Sequence, residues 1–250
     1  MEEETRLQLC GRLVLTIRGH RVEGRLPSRQ GRLLFVYLAA NRLRPISRDE
    51  LFEAIWPAQL PAAPDSALAA LLSKLRHLLG RDLVPQRGEI RLVLPPGSFV
   101  DLEAAAEGIH RAESAVRRSA WAEAWAPARV ALHTATRGFL PGEDAPWVAE
   151  RRRFLEEIAV RAHECIAASS LALGGAELDS AKRSASVLIE CMPYRESGYR
   201  LMMETLHCEG NDAEALAVYE RLRHILHDAL GALPSASTRE LHSRLLATAG

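Results

Sequence analysis

Nothing in these 250 residues approaches 18 consecutive apolar positions, so no segment reads as a membrane-spanning helix. The start, MEEETRLQ, is acidic and lacks an apolar signal stretch, so a cytoplasmic location is expected rather than secretion. Cysteine is sparse. Cys10, Cys165, Cys191 and Cys208 include no C-x-x-C pair and read as small core residues of a reducing compartment. There is no G-x-x-x-x-G-K-[ST] loop, no G-x-G-x-x-G cradle and no G-x-S-x-G elbow. Nucleotide switching, dinucleotide binding and hydrolase chemistry therefore lack their usual residues. His163-Glu164-Cys165 has no second His four residues on, so it reads as an ordinary helix face. Glu220, His224 and His227 share one helix side and read as groups near a helix C-terminus, where the dipole favours basic residues. No enzymatic activity, metal or cofactor is expected.

Net charge is absent too: 32 Lys and Arg balance 32 Asp and Glu. The balance is uneven along the chain. Residues 1–100 hold 15 basic against 10 acidic side chains, a surplus of +5, and the remainder carries the opposite −5. A basic front half suits a polyanion and an acidic rear half does not.

What is present is a sequence ordered around Pro64–Gly80, PDSALAALLSKLRHLLG. Pro64 and Asp65 mark a helix start and Gly80 its end. Leu68, Leu72, Leu75 and Leu79 form one apolar stripe. At 100° per residue the other face carries Ser66, Ala70, Ser73, Lys74 and His77, a small, polar and weakly basic surface that suits a DNA groove.

Before this helix, Leu7–Ile17 is rich in strand formers around Gly11, and Arg21–Leu26 is a candidate return strand. Arg29–Ala40 reads as a helix ending at Asn41. Ser47-Arg48-Asp49-Glu50 is a capping box opening a helix over Arg48–Trp56. After Gly80, Asp82–Pro85 and Glu89–Leu94 read as a β-hairpin with a basic tip at Arg87. Strands, three helices, then a hairpin is the order of a winged helix-turn-helix, whose third helix reads DNA.

Pro95-Pro96-Gly97 marks a boundary, which gives domains 1–98 and 99–250. The rear half is nearly continuous helix, with segments expected at Leu102–Arg117, Ala120–Thr134, Trp147–Leu173, Leu178–Glu190, Tyr194–Cys208, Ala213–Leu230 and Ser237–Leu246. Ser237 to Glu240 is a second capping box. Ala181 and Ala215 lie 34 residues apart at matching points of two helix pairs, the period of tetratricopeptide repeats; generic helical packing is the alternative. Trp121, Trp125, Trp147, Tyr194, Tyr199 and Tyr219 are expected in the core, with a ligand pocket on a concave helical face as the alternative. The fold expected is mostly α with small β: an N-terminal winged helix-turn-helix followed by an all-α tetratricopeptide-like domain.

The residues that face outward are the candidate DNA contacts. Ser66, Ser73 and His77 can reach base edges or phosphates. Lys74 suits phosphate, while Arg76 suits either role or a surface ion pair. Arg87 and Arg91 belong to the hairpin. Arg29 and Arg48 begin helices, where a phosphate can be held, and each also reads as a solvated charge.

The stretches Leu26–Pro57, Asp65–Gly80, Arg87–Ala105 and Ala232–Leu246 resemble bacterial transcriptional activators of the SARP/AfsR-like type. That family joins an OmpR-type winged helix to a bacterial transcriptional activator domain. The resemblance implies binding of repeated sites in double-stranded DNA, recruitment of RNA polymerase, and a helical half that serves dimerisation or regulation. Ala67, Ala69 and Ala70 stand where the family often carries Arg or polar residues. The rival reading is therefore a protein-interaction scaffold whose winged helix no longer reads DNA.

Overall fold

The computed structural model describes residues 4–85 and 89–248 and is mostly helical with one small sheet. Strands β1 (Arg6–Gln8), β2 (Val14–Ile17) and β3 (His20–Arg21) run antiparallel in sequence, and β4 (Phe99–Val100) joins the far side of β1 in parallel. Leu7 pairs with Leu15 on one side and Val100 on the other, and all three are buried. The parallel strand is a long-range event, set by Asp101. Its carboxylate accepts the N–H groups of Leu9 (2.9 Å) and Cys10 (3.0 Å), so the end of β1 is pinned to the residue after β4. Burial pushes the Asp101 carboxyl up, while those amides pull it down. The expected strand over Arg21–Leu26 is only β3, followed by a 3-10 turn at Glu23–Arg25.

Three helices follow: α1 (Ser28–Ala40), α2 (Arg48–Ile55) and α3 (Pro64–Leu79). Leu33, Leu34 and Leu38 of α1, Leu51 and Ile55 of α2, and Leu68, Leu71, Leu72, Leu75 and Leu79 of α3 form their buried faces. The capping box is formed: Ser47 Oγ accepts from Glu50 N–H (3.1 Å) and Glu50 Oε1 accepts from Ser47 N–H (3.4 Å). Asn41 ends α1, its Nδ2 donating to Tyr37 O at 2.9 Å.

The expected hairpin differs. Asp82–Pro85 is a turn, and among the described residues no strand ladder joins it to Glu89–Leu94. Pro85 has no N–H to give, and Arg76 occupies the carbonyls of Val84 and Pro85, so the pairing groups are already used. A bond from Val93 N–H to Leu83 O (2.8 Å) joins the two segments, and Ile90 bridges to Ile46. Arg87 lies outside the described residues.

Helices α4 (Asp101–Arg117), α5 (Trp121–Ala135), α6 (Pro146–Leu173), α7 (Leu178–Cys191), α8 (Glu196–Cys208), α9 (Asp212–Leu230) and α10 (Ala236–Thr248) complete the chain. Two compact units result, and they do not divide at Pro95–Gly97. The first holds residues 1–104 and 134–155, the second 105–133 and 156–250. In the first unit, the segment before and within early α6 packs on α1 and α2. Trp147 Nε1 donates to Ala54 O (3.0 Å), its ring meets Tyr37 edge-on at 5.0 Å, and Arg151 reaches Asn41 Oδ1 at 2.9 Å.

In the second unit, Ile189, Tyr199, Met203, Leu206, Leu222 and Leu241 share one core across α7 to α10. Gly198 is needed there, because a Cβ on it would lie 2.9 Å from Leu188 Cβ. Helix α10 starts one residue before the expected capping box. Ser235 instead gives its N–H and hydroxyl to Glu196 (3.0 and 2.7 Å), which ties α10 to α8. Cys10 and Cys165 are buried as expected, but Cys191 and Cys208 are exposed, because they end their helices beyond the packed faces. Tyr199 and Tyr219 are core residues. Tyr194 precedes α8 and is 54% exposed, and Trp121, Trp125 and Trp147 are half-buried. No helix among the described residues is long and apolar enough to cross a membrane.

Candidate nucleic-acid interface

The site is built on α3. Pro64 at its first turn supplies a preset φ and no N–H to satisfy. Gly80 ends it with φ 101°, a conformation that disfavours a side chain. Leu68, Leu71, Leu72, Leu75 and Leu79 are buried; Leu71 joins the expected stripe because it lies one turn from both Leu68 and Leu75. That apolar face fixes which way the other face points. Ser66, Ala69, Ala70, Ser73, Lys74 and His77 are all exposed. The surface is shallow, with small side chains along most of its length, and it carries one lysine.

The arginines sort into two groups. Arg48 donates to Asp65 Oδ1 from Nε (2.9 Å) and Nη2 (2.8 Å), linking the start of α2 to the start of α3. Asp65 therefore acts as an ion-pair partner and not as a side-chain cap, since α3 has no capping bond of that kind. Arg29 donates to Glu143 Oε2 at 2.7 Å, and Arg32 donates to the other oxygen. Glu143 is 2% exposed, so the pair of cations neutralises an otherwise costly buried carboxylate. Arg76 donates from Nε to Val84 O and from Nη2 to Pro85 O, both 3.1 Å. It anchors the chain leaving α3 and makes no ion pair among the described residues.

Lys74, His77 and Arg91 have no ion pair among the described residues. Arg91 and Val93 are exposed while Leu92 and Leu94 are buried, as strand-like alternation requires. Sequence reasoning missed Arg81, an exposed cation directly after Gly80 with no ion pair among the described residues. Its only signal was its place beside the helix end. The structure therefore leaves Lys74, His77, Arg81 and Arg91 available, and uses Arg29, Arg48 and Arg76 for internal contacts.

No group of His, Cys, Asp and Glu among the described residues could hold a metal. Glu220 O instead contacts His224 Nδ1 at 2.7 Å, and His227 Nδ1 contacts Asp228 at 3.1 Å.

Residues 100–246 match the profile of the bacterial transcriptional activator domain. The chain belongs to that family. This activator-domain protein is of the SARP/AfsR-like type, and its relatives are named as regulators. It is similar to the transcriptional regulatory protein EmbR of Mycobacterium tuberculosis, 28% identical over 98% of this chain and 64% of that protein. It is 30% identical to the regulatory protein AfsR of Streptomyces coelicolor over 88% of this chain and 22% of AfsR. It is 27% identical to the transcriptional regulatory protein MoaR1 of M. tuberculosis over 95% of this chain and 78% of MoaR1. The activator-domain chain thus spans under two thirds of the length of EmbR and about a fifth of AfsR. Its fold matches a solved structure of M. tuberculosis EmbR in complex with a low affinity phosphopeptide, with TM-score 0.81 at 22% identity, over 99% of this chain and 65% of that one. These relatives are named as regulatory proteins, two of them expressly of transcription. The profile begins after α3, so the candidate interface lies in the part of this activator-domain protein that the profile does not cover.

Proposed function

We propose that this protein regulates transcription by binding double-stranded DNA through the exposed face of α3. The observation that carries the reading is the division of α3 into a continuous leucine face and an exposed face of serine, alanine, lysine and histidine. Residues up to about 98 then serve as a winged helix-turn-helix, with α2 and α3 as its turn pair and the segments 81–85 and 89–94, bonded through Val93 and Leu83, in the place of the wing. Ser66, Ser73 and His77 face base edges, and Lys74, Arg81 and Arg91 meet phosphates, with Arg87, outside the described residues, a further basic group of the same stretch. Arg29, Arg48 and Arg76 hold the reading head together.

Residues 99–250 form the activator half. Ala181 and Ala215, both fully buried and 34 residues apart, support a tetratricopeptide-like pairing of α7 with α8 and α9 with α10. That half is the surface for recruiting RNA polymerase and for pairing with a second copy on repeated sites, and the setting is the cytoplasm. Selection of genomic fragments on the purified chain, followed by filter binding against competitor DNA, tests the reading. A preference of at least about tenfold for selected fragments supports it, well within the range of specific regulators.

The second reading, a scaffold that no longer reads DNA, is favoured by one observation: Arg29, Arg48 and Arg76 are all engaged internally. Indifference among fragments even at low salt would support it. Under the DNA reading, Lys74→Ala weakens binding to every sequence alike and lowers the slope of log affinity against log salt by about one. Mobility shifts over a salt series measure both effects.

A further inference from the structure

The first unit contains a cleft of ≈ 580 Å³ that the DNA reading does not use. That is within the usual size of a small-molecule site. Its walls are the second half of α2, the 56–60 segment after it, Tyr37 of α1 and the first turn of α6. Four aromatic rings line it: Tyr37, Phe52, Trp56 and Trp147. They come as two pairs, Tyr37 against Trp147 at 5.0 Å and Phe52 against Trp56 at 6.4 Å. Trp147 is fixed by its indole N–H on Ala54 O, and Trp56 closes α2 with its backbone N–H on Phe52 O at 2.9 Å. The Trp147 ring is thus held in place before any ligand arrives, by its indole bond and by Tyr37 and Phe139 packed edge-on against it.

The charged side chains that line it are carboxylates, with Arg44 beside them on Glu50. Glu50, Glu53 and Glu150 face the cleft, and no Lys, Arg or His lines it. Glu50 is already used by Arg44 and by the capping box. Glu53 and Glu150 have no ion pair or hydrogen-bond partner among the described residues, and both are exposed. Aromatic faces attract cations through their quadrupoles, and flanking carboxylates supply the countercharge. Aromatic rings without charge would accept any apolar body, and carboxylates without rings would hold a hydrated metal ion. Rings and unpaired carboxylates around one volume select an organic cation.

We propose that this cleft binds a small organic ammonium ion, held against the Trp56 and Trp147 rings and balanced by Glu53 and Glu150. The occupant is a free small molecule, because the volume suits a ligand of that size and the lining offers no strand edge to hold a peptide backbone. The 56–60 wall leads directly into α3 at Pro64, so an occupant would touch the connection that positions the candidate reader. Binding is read without DNA, so its outcome is separate from that of the regulator reading.

Choline is the probe, because a neutral carbon isostere exists in which a tert-butyl group replaces the trimethylammonium. Saturation-transfer NMR on the methyl signal follows both ligands with the full chain. Choline is expected to give a saturable isotherm, and the isostere to bind at least about fivefold more weakly. Glu53→Gln with Glu150→Gln, both surface changes, is expected to weaken choline by about fivefold and leave the isostere unchanged. Trp56→Leu should weaken choline by about tenfold, with circular dichroism showing that the helices persist. Equal binding of choline and the isostere, an isotherm indifferent to the double Gln variant, or binding of a lysine peptide with no response to choline would overturn the proposal.

Discussion

Arg76 shows how far a side chain's position departs from its place on a helical wheel. It lies on the flank of α3 and is a candidate base reader by type, yet its guanidinium spans two carbonyls beyond the helix end. Burial lowers its pKa and the charge of Arg81 adds to that. Arg76→Ala removes two charge-assisted bonds and leaves two carbonyls to be resatisfied, so about 1–3 kcal/mol of stability should be lost in urea unfolding. Arg76→Lys should recover only part, because a single ammonium cannot span both acceptors as the fork does. Lys74→Ala should leave the urea midpoint unchanged. The two substitutions therefore separate holding the reading head together from touching DNA. None of this was legible in the sequence. Arg29 reaches a glutamate 114 residues away and Arg32 the same group, and no local pattern encodes such distances.

Elements were legible where periodicity was strong. The α3 boundaries, the capping box of α2 and the order of the rear helices follow from leucine spacing, Ser47 with Glu50, and Gly or Pro stops. What failed was pairing. Asp82–Pro85 has strand-forming residues, but tertiary demands on its carbonyls made it a turn. β4 is two residues long and exists because Asp101 draws it alongside β1. In the second unit, α4 and α6 are joined by Arg161, whose Nε and Nη2 meet the two oxygens of Glu113 at 2.6 Å each. The guanidinium's hydrogen bonds hold the Glu113 carboxyl below its usual 4.5. A carboxylate whose pKa is lower folded than unfolded stabilises the fold above the unfolded value, and that share is lost as pH falls through the folded one. Arg161→Met should therefore flatten the stability profile of the full chain below about pH 4.5 relative to the parent, with a loss of about 1 kcal/mol near neutrality. Chemical denaturation across that pH range measures it, and a parallel acid limb in both proteins would contradict it.

At the scale of the molecule, the family match and the candidate interface lie in different parts of the chain. The activator-domain profile covers residues 100–246, whereas α3 ends at Leu79. The compact units divide it another way again, since residues 134–155 pack with the first hundred. A cut at Pro95–Gly97 would strip Glu143 from Arg29 and Arg32, and Trp147 from Ala54 and Tyr37. A fragment ending at residue 98 should thus unfold at lower urea concentration than one that also carries the segment through 155.

The central claim is that the exposed side of α3 meets a duplex. Ala70 is the test position, because it is exposed at the middle of that side with only small neighbours. Filter binding of selected genomic fragments by Ala70→Glu, alongside a urea midpoint, measures the claim directly. The account predicts an unchanged midpoint and a loss of about a hundredfold or more in affinity, since a carboxylate is driven against phosphates and base edges. Full retention of binding by a folded Ala70→Glu protein would contradict it.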